Sequence, residues 1–291
     1  MATSTTITSS YDAGNDAKLF VQLFQSADTL AKDLITPMPG VLRATIIPKM
    51  NYSAEFSDAS CGWAPSGSLS LTERKLYVAD KEIKHEFCKK DFAFTHQAAN
   101  QGLFSANREI PTEIKEAILV AILENSALAI DKYIWNSTTT GLFDQWEADA
   151  TVQKIAGTTI TKANVVDEIE KVYDAIIPEL DDKDDVLIVV SRDVMKRYKS
   201  AQASMGVNTT VGDKEMDYMG QRLESIGTWP NGTIAAYRKS NVVFGFGADG
   251  DSTNIEIADD VNLDGMVRYR LQTVMGQGYA SGLEIVYYRT V

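Results

Sequence analysis

Cysteine and long apolar runs are scarce in this sequence of 291 residues. Its only two cysteines, Cys61 and Cys88, exclude a scaffold built on disulfides. No apolar run approaches the roughly 20 residues that a membrane-spanning helix requires, so we expect no membrane partner. The N-terminal residues lack the basic start and apolar stretch of a secretory signal, and we expect the protein to stay in the compartment where it is made.

Positive charge is also in short supply. The chain has 28 Lys and Arg against 40 Asp and Glu, which gives a net charge of −12. Binding to nucleic acid requires clustered Lys and Arg, so the composition argues against a protein that grips DNA or RNA. The densest basic segment, residues 192–199, spreads its charges at helical spacing and indicates a solvated helix face.

One glycine motif resembles a nucleotide-binding fingerprint. Gly245, Gly247 and Gly250 complete a G-x-G-x-x-G pattern. The fingerprint requires a helix after the last glycine, because the helix N-terminus holds the pyrophosphate. Residues 251–260 have no helical period and predict another strand, so we expect no nucleotide cofactor.

No other group of residues predicts catalysis or metal binding. The cysteines and histidines number four, and only His85 and Cys88 are closely spaced, which is insufficient for a zinc site. The acidic turn at 249–254 departs from the calcium-loop pattern. There is no G-x-S-x-G motif, and the acidic run 181–185 is typical of a solvated turn. We therefore expect no metal, no cofactor, no catalytic residue and no enzymatic activity.

The hydrophobic pattern predicts a mixed α and β chain with two weakly supported segments. Residues 1–40 form an uneven arm with one amphipathic helix, which ends at two prolines. Residues 41–80 predict two long strands around a projection with few apolar residues. Residues 112–136 predict a long helix with two apolar faces, and residues 161–204 an α–β–α segment. From residue 221 onward the chain predicts mostly strands.

Three segments resemble the major capsid proteins of tailed bacteriophages. SIGTWPNGTIAAYRKSNVVFGFG (225–247) is similar to the family segment in which a short turn precedes two strands. IADDVNLDGMVRYRLQTVMGQGYASGLEIVYY (257–288) resembles its closing strands, and SLSLTERKLYVADKEIKHEFCKKDF (68–92) the stretch after its extended loop. The order and spacing of these segments along the chain carry the resemblance.

The resemblance implies an α+β chain with the HK97-like capsid fold of that family. Residues 1–40 would be its N-terminal arm and residues 41–77 its extended loop. Residues 78–159 would form the peripheral domain around the spine helix at 112–136. Residues 160–256 would form the axial domain, and residues 257–291 would return to the peripheral domain. The sequence shows no long scaffolding segment before the arm, so we expect assembly to use a separate scaffold protein or none.

The resemblance also implies a function. The chain would assemble with itself, as pentamers and hexamers, into an icosahedral capsid shell that encloses double-stranded phage DNA without sequence-specific binding. Scaffold, portal and cement proteins are the further partners to expect. The location would be the virion capsid, after synthesis and assembly in the cytoplasm of the host bacterium. An encapsulin-like nanocompartment shell is the first alternative, and a surface adhesion module is a more distant one.

Large apolar side chains in the arm and the projection are the candidate subunit contacts. Ordering a residue costs about 1–2 kcal/mol in backbone entropy, and these segments have few apolar residues of their own to offset it. We therefore expect neighbouring copies to cover them, and the candidate residues are Phe20, Leu23, Phe24, Phe56 and Trp63.

Overall fold

The structure is a computed structural model. It describes residues 27–41, 43–54, 67–88, 112–181, 185–205, 216–247, 253–259 and 266–290, together with Phe56 and Asp58. These residues form two large sheets, a two-stranded hairpin and several helices.

A six-stranded mixed sheet lies at the centre of the fold. Its order is β5 (Gln153–Gly157), β13 (Ile285–Thr290), β9 (Ile234–Arg238), β6 (Val186–Ser191), β8 (Gln221–Ile226) and β7 (Met216–Tyr218). The predicted apolar strand VLIVV lies within β6, which is buried at every position. Burial on both faces requires cover on both sides of this sheet.

The second sheet has five strands and is organised around β12 (Met266–Tyr279). One edge of β12 pairs with β4 (Ala79–Cys88). The other edge pairs first with β11 (Thr253–Asp259) and then with β10 (Val242–Phe246). A short parallel strand, β1 (Thr36–Met38), extends this sheet beyond β10.

Six helices complete the described part of the chain. The long helix α2 (Thr112–Asn136) has the predicted bounds and is followed by the short α3 (Leu142–Ala148). The others are α1 (Asp28–Ala31), α4 (Val165–Asp174), α5 (Pro178–Asp181) and α6 (Arg192–Ser204). No helix in these ranges is long and apolar enough to cross a membrane.

Two apolar cores lie against the central sheet. One face of this sheet packs with α2, α3 and the five-stranded sheet around an aromatic cluster of Trp135, Trp146, Trp229, Phe143 and Tyr287. The opposite face is covered by the amphipathic helices α4, α5 and α6. The basic residues of 192–199 lie on α6, and its buried face carries Val194, Met195, Tyr198 and Ala201.

The long helix is less enclosed than its sequence pattern predicts. Ile130 and Ile134 are buried, as expected for one of the two predicted faces. Ala129, assigned to the other apolar face, is exposed, and so are Val120 and Leu128. The inward face instead includes Ser126 and Asp131, so between residues 126 and 134 one side of the helix meets the core and the other is exposed.

The C-terminal part of the predicted arm belongs to the subunit core. Ala27, Leu34, Ile35 and Val41 are buried, and β1 pairs with β10. The expectation that the whole of residues 1–40 relies on neighbours is therefore wrong for residues 27–40. Their apolar side chains fill the space beside the long helix, and their backbone completes a sheet edge. The rest of the arm lies outside the described residues.

The sheets combine strands from different predicted domains, and the domain boundaries themselves remain a prediction. Strand β5, expected in the peripheral domain, joins the central sheet. Strands β10 and β11 were expected mostly in the axial domain, yet they pair with β12. The final strand β13 does not stay with β12 but pairs with β5 and β9. Such pairings join residues far apart in sequence, so strand patterns alone do not reveal them.

Candidate subunit-contact surface

A long antiparallel hairpin occupies the place of the predicted projection. Strands β2 (Ala44–Ala54) and β3 (Gly67–Tyr77) pair along their full length, and β3 continues through Val78 into β4. At about 3.3 Å per residue, each strand spans about 36 Å. A two-stranded hairpin of this length has no core of its own and needs support from elsewhere.

The register sorts the side chains of the hairpin onto two faces. Residues directly opposite each other in an antiparallel pair lie on the same face, and alternate residues share that face. Met50 pairs with Leu71, and Ile47 pairs with Arg74. These two pairs therefore lie on opposite faces of the ribbon.

The inner face of the hairpin, defined by Ile47, Lys49, Arg74 and Leu76, meets the body of the subunit. Ile47 and Leu76 are buried in a small cluster with Val243 of β10. Lys49 pairs with Glu284 at 2.9 Å, and Arg74 pairs with Asp149 at 2.6 Å. The base of the hairpin is thus fixed by apolar and ionic contacts together.

The outer face of the hairpin carries a row of exposed apolar side chains. Its members are 47–67% exposed: Ile46, Met50, Leu69, Leu71 and Tyr77. Among the eleven large apolar side chains that are exposed in the described ranges, six lie on the hairpin, if Phe56 is included. A soluble monomer rarely concentrates apolar surface in this way, so the outer face has the character of a contact surface.

One of the five predicted contact residues lies within the described part of the chain. Phe56 lies beyond the end of β2 and its side chain is fully exposed. Phe20, Leu23, Phe24 and Trp63 lie outside the described residues. The outer-face residues were not among the candidates, although the alternation of Leu69 and Leu71 with serine in SLSL was a signal for one shared face. The sequence could not show which face turns away from the body.

A carboxylate at the base of the hairpin is held in its ionised form. Partial burial by itself raises the pKa of the Asp149 carboxyl. Hydrogen bonds from Thr151, Arg74 and Tyr279 outweigh this effect, and the net pKa lies well below that of an ordinary aspartate. Partial burial and the hydrogen bond to Asp149 raise the pKa of Tyr279 to about 12, so its hydroxyl stays a donor at neutral pH.

The glycine motif has a packing role in place of a phosphate-binding one. Gly245 lies within β10, and a strand, β11, follows the motif where a nucleotide site requires a helix. A side chain at Gly245 would approach the Leu76 methyl to 2.8 Å. The first glycine of the motif therefore makes room for the hairpin.

The described residues contain no cluster of potential metal ligands. His85 and Cys88 both lie on β4, where residues three apart point to opposite faces of the sheet. Within the described ranges, no three or more His, Cys, Asp or Glu side chains come together in a way that could hold a metal ion. Cys61 and His96 lie outside those ranges.

Comparison with known proteins shows which solved structures have a similar fold. No family model and no curated protein matches the sequence. Solved structures match over nearly the whole chain. A chain of the satellite phage P4 procapsid, which includes the size determination protein, is 13% identical with a TM-score of 0.59, and the match covers 94% of this chain and 99% of that one.

Two further matches come from other particles. The capsid of a native GTA particle is 9% identical with a TM-score of 0.60, over 100% of this chain and 95% of that one. A virus-like particle from Pyrococcus furiosus is 8% identical with a TM-score of 0.56, over 94% and 97%. At identities this low, the matches show a shared fold and do not show a shared function, because one fold can serve several functions. The predicted α+β, HK97-like capsid fold is confirmed.

Proposed function

We propose that this chain is the major capsid protein of a tailed bacteriophage. In this role it assembles with copies of itself into an icosahedral shell that encloses double-stranded DNA. The observation that carries the proposal is the exposed apolar outer face of the hairpin on a subunit with a capsid fold. A concentrated apolar surface of this kind marks a site where another molecule binds.

Identical copies are the occupants that suit this surface best. Each large apolar side chain contributes roughly 1.5–3 kcal/mol when it is fully buried, so the outer face offers several kcal/mol per subunit. A contact between two different surfaces of the same chain closes into a ring when it is repeated by rotation. Further contacts in the ring then hold each partner at high effective concentration. The candidates Phe20, Leu23, Phe24, Phe56 and Trp63 remain proposed contacts of the same kind.

The charge of the chain suits a container for DNA. A net charge of −12 does not favour tight binding to phosphates, so the shell can hold DNA without gripping it. Scaffold, portal and cement proteins, and assembly in the cytoplasm of a host bacterium, belong to the same proposal. The role requires no catalytic step.

A matched pair of substitutions tests the role of the outer face. Leu71→Asp places a charge on that face, whereas Ser70→Asp places the same charge one residue away, on the opposite face of the ribbon, where its cross-strand partner is Asn51. We expect both variants to fold, because both positions are exposed. Negative-stain microscopy and sedimentation should show particles for the unmodified chain and for Ser70→Asp, and free subunits for Leu71→Asp. Equal assembly of the two variants would contradict the proposal.

An encapsulin-like compartment is the second candidate, because the virus-like particle from Pyrococcus furiosus has the same fold. The contents of particles isolated from their natural source separate the two. Double-stranded DNA inside supports the capsid, and a protein cargo with no DNA supports the compartment. An adhesion module would run as a monomer or small oligomer in a sizing experiment and would form neither particle.

A further inference from the structure

We propose that an ionic clamp at the base of the hairpin fixes its angle to the body, and that this fixed angle keeps the assembled particles uniform in size. The clamp consists of two pairs, Arg74 with Asp149 and Lys49 with Glu284, together with Tyr279. The inference about particle size rests on the proposed shell function. The inference about the hairpin angle concerns the single subunit and can be tested alone.

The first pair joins three segments of the chain at one carboxylate. Arg74 on β3 donates from Nη2 to Asp149 Oδ2 at 2.6 Å. The Tyr279 hydroxyl on β12 donates to the same oxygen at 2.8 Å. The guanidinium carbon of Arg74 also lies 4.1 Å from the centre of the Tyr279 ring, within the range of a cation–π contact.

The Asp149 carboxylate is also held by hydrogen bonds from the body of the protein, independently of the hairpin. The other oxygen of Asp149 accepts hydrogen bonds from the Thr151 backbone N–H at 2.8 Å and the Thr151 hydroxyl at 2.7 Å. Asp149 follows α3 directly, so its position is set by elements of the body. The hairpin therefore contacts a preorganised acceptor and not a freely rotating side chain.

The second pair acts on the other strand. Lys49 on β2 donates to Glu284 at 2.9 Å, and both side chains are more than three-quarters buried. Lys49 and Arg74 lie on the same inner face, on different strands. One attachment would leave a pivot, whereas two attachments on two strands restrict both tilting and rolling of the ribbon.

A glycine-lined seat lies next to the clamp, toward the base of the hairpin. Leu76 packs beside Gly245 and Gly278, which have no side chains to hold the hairpin away. At Gly276 a Cβ would lie 2.0 Å from the Tyr77 carbonyl oxygen. Close backbone packing resists translation, and the ion pairs then select one orientation on the seat.

The angle matters because the hairpin acts as a lever. Leu69 lies seven residues beyond Leu76, which is about 23 Å at 3.3 Å per residue. A rotation of about 10° at the base would move Leu69 by about 4 Å, roughly the distance between packed side chains. Subunits whose hairpins adopt different angles would therefore meet their neighbours at different geometries.

Removing the charges of the clamp tests the inference. The variant combines Asp149→Asn and Glu284→Gln, which keep side-chain size and remove both anions. The control is Glu82→Gln, which removes an anion that pairs with Lys84 and Arg270 on the exposed part of the five-stranded sheet. Spin labels at Ser70→Cys on the hairpin and Ser200→Cys on α6, in a background of Cys61→Ser and Cys88→Ser, report the angle by double electron–electron resonance on free subunits.

We expect one narrow distance distribution for the parent and for Glu82→Gln, and a broad distribution for the double variant. Particles of the double variant should vary in diameter under the microscope, whereas parent and control particles should be uniform. A narrow distribution for the double variant, or uniform particles from subunits with a broad one, would overturn the inference. If the double variant does not fold by circular dichroism, Tyr279→Phe and Glu284→Gln singly provide the same comparison. Failure of the parent to form particles would contradict the proposed function, while the distance measurement would still decide on the clamp.

Discussion

Gly276 shows how the absence of one side chain positions the hairpin. It lies in β12 beside the junction of β3 and β4, where the backbone of Tyr77 and Val78 passes. A Cβ at this position would meet backbone atoms at 2.0–2.9 Å, and backbone cannot move aside without shifting the hairpin. Gly278, two residues on, faces methyl groups of Leu76 at 3.1 Å and Ile47 at 3.8 Å, and these side chains can adjust.

These two glycines predict different outcomes for the same substitution. Gly276→Ala should lower the free energy of unfolding by about 1–3 kcal/mol, the usual cost of overpacking a filled site. Gly278→Ala should cost less than about 1 kcal/mol, because a side-chain methyl is easier to displace. Urea denaturation of both variants measures the difference. Equal losses would show that the close backbone approach at Gly276 does not constrain the subunit.

At the scale of elements, the short helix α1 depends on the long helix for its cap. Ala27 at its N-cap has no side-chain acceptor to offer. Asp131 of α2 supplies one instead, accepting the backbone N–H of Asp28 at 2.8 Å and of Thr29 at 3.2 Å. Trp135 also donates its indole N–H to the Thr29 hydroxyl at 2.8 Å. One turn of α2 therefore fixes the point where the chain enters the core.

Removing the cap should cost stability. Asp131→Ala leaves two buried backbone N–H groups without their acceptor, and we expect a loss of about 1–3 kcal/mol in the free energy of unfolding. Asp131→Asn keeps one acceptor oxygen and should cost less.

Burial raises the pKa of the Asp131 carboxyl, so the folded protein holds the carboxyl proton more tightly than the unfolded chain does. The contribution of this proton to the free energy of unfolding is present in full below pH 3.8, the ordinary aspartate pKa. It is lost as the pH rises through the raised pKa of the folded protein.

The pH dependence of this effect has a definite sign. The advantage of the parent over Asp131→Asn in the free energy of unfolding should shrink as the pH rises from acidic to neutral. Urea titrations of both proteins across that range provide the measurement. A difference that grows with pH would mean that the carboxylate is favoured by its hydrogen bonds more than it is penalised by burial.

The elements that the sequence predicted well are those with a local pattern. The long helix has the bounds that its apolar spacing indicates. The apolar run VLIVV supplies the strand of the α–β–α segment predicted for residues 161–204 and lies in β6, and the alternating segment MVRYRLQTV, among the strands predicted after residue 221, lies in β12. The burial of residues 27–40 was not predicted, because their core contacts are with the long helix and β10, far away in sequence. A local sequence pattern does not show which distant element a segment will pack against.

The sequence predicted where in the chain the contact surface lies, but it did not predict which residues form that surface. The long hairpin with little core follows from two extended segments around a polar stretch. The choice between its faces does not follow, because both carry apolar residues, such as Ile46 and Ile47 in succession. Ile47 is buried because Val243 and the glycine seat lie beneath it, and Ile46 is exposed as a consequence. The position of the body, and not the composition of the strand, decides the outer face.

At the scale of the whole molecule, two opposing forces act between copies of this chain. The outer face of the hairpin attracts through burial of apolar area, which salt does not weaken. The net charge of −12 repels, and this repulsion extends about 10 Å at 0.1 M salt and about 3 Å at 1 M. Assembly therefore depends on how far the repulsion is screened when subunits approach.

This balance predicts that salt promotes assembly. Raising sodium chloride from about 0.05 M to about 0.5 M shortens the range of repulsion roughly threefold and should lower the subunit concentration at which particles form. Light scattering against protein concentration, at each salt level, gives that threshold. Leu71→Asp serves as the control, since it should remain disassembled at every salt level if the outer face supplies the attraction. Dispersal of particles by salt would instead show that ion pairs between subunits, and not apolar contacts of the hairpin, hold the copies together.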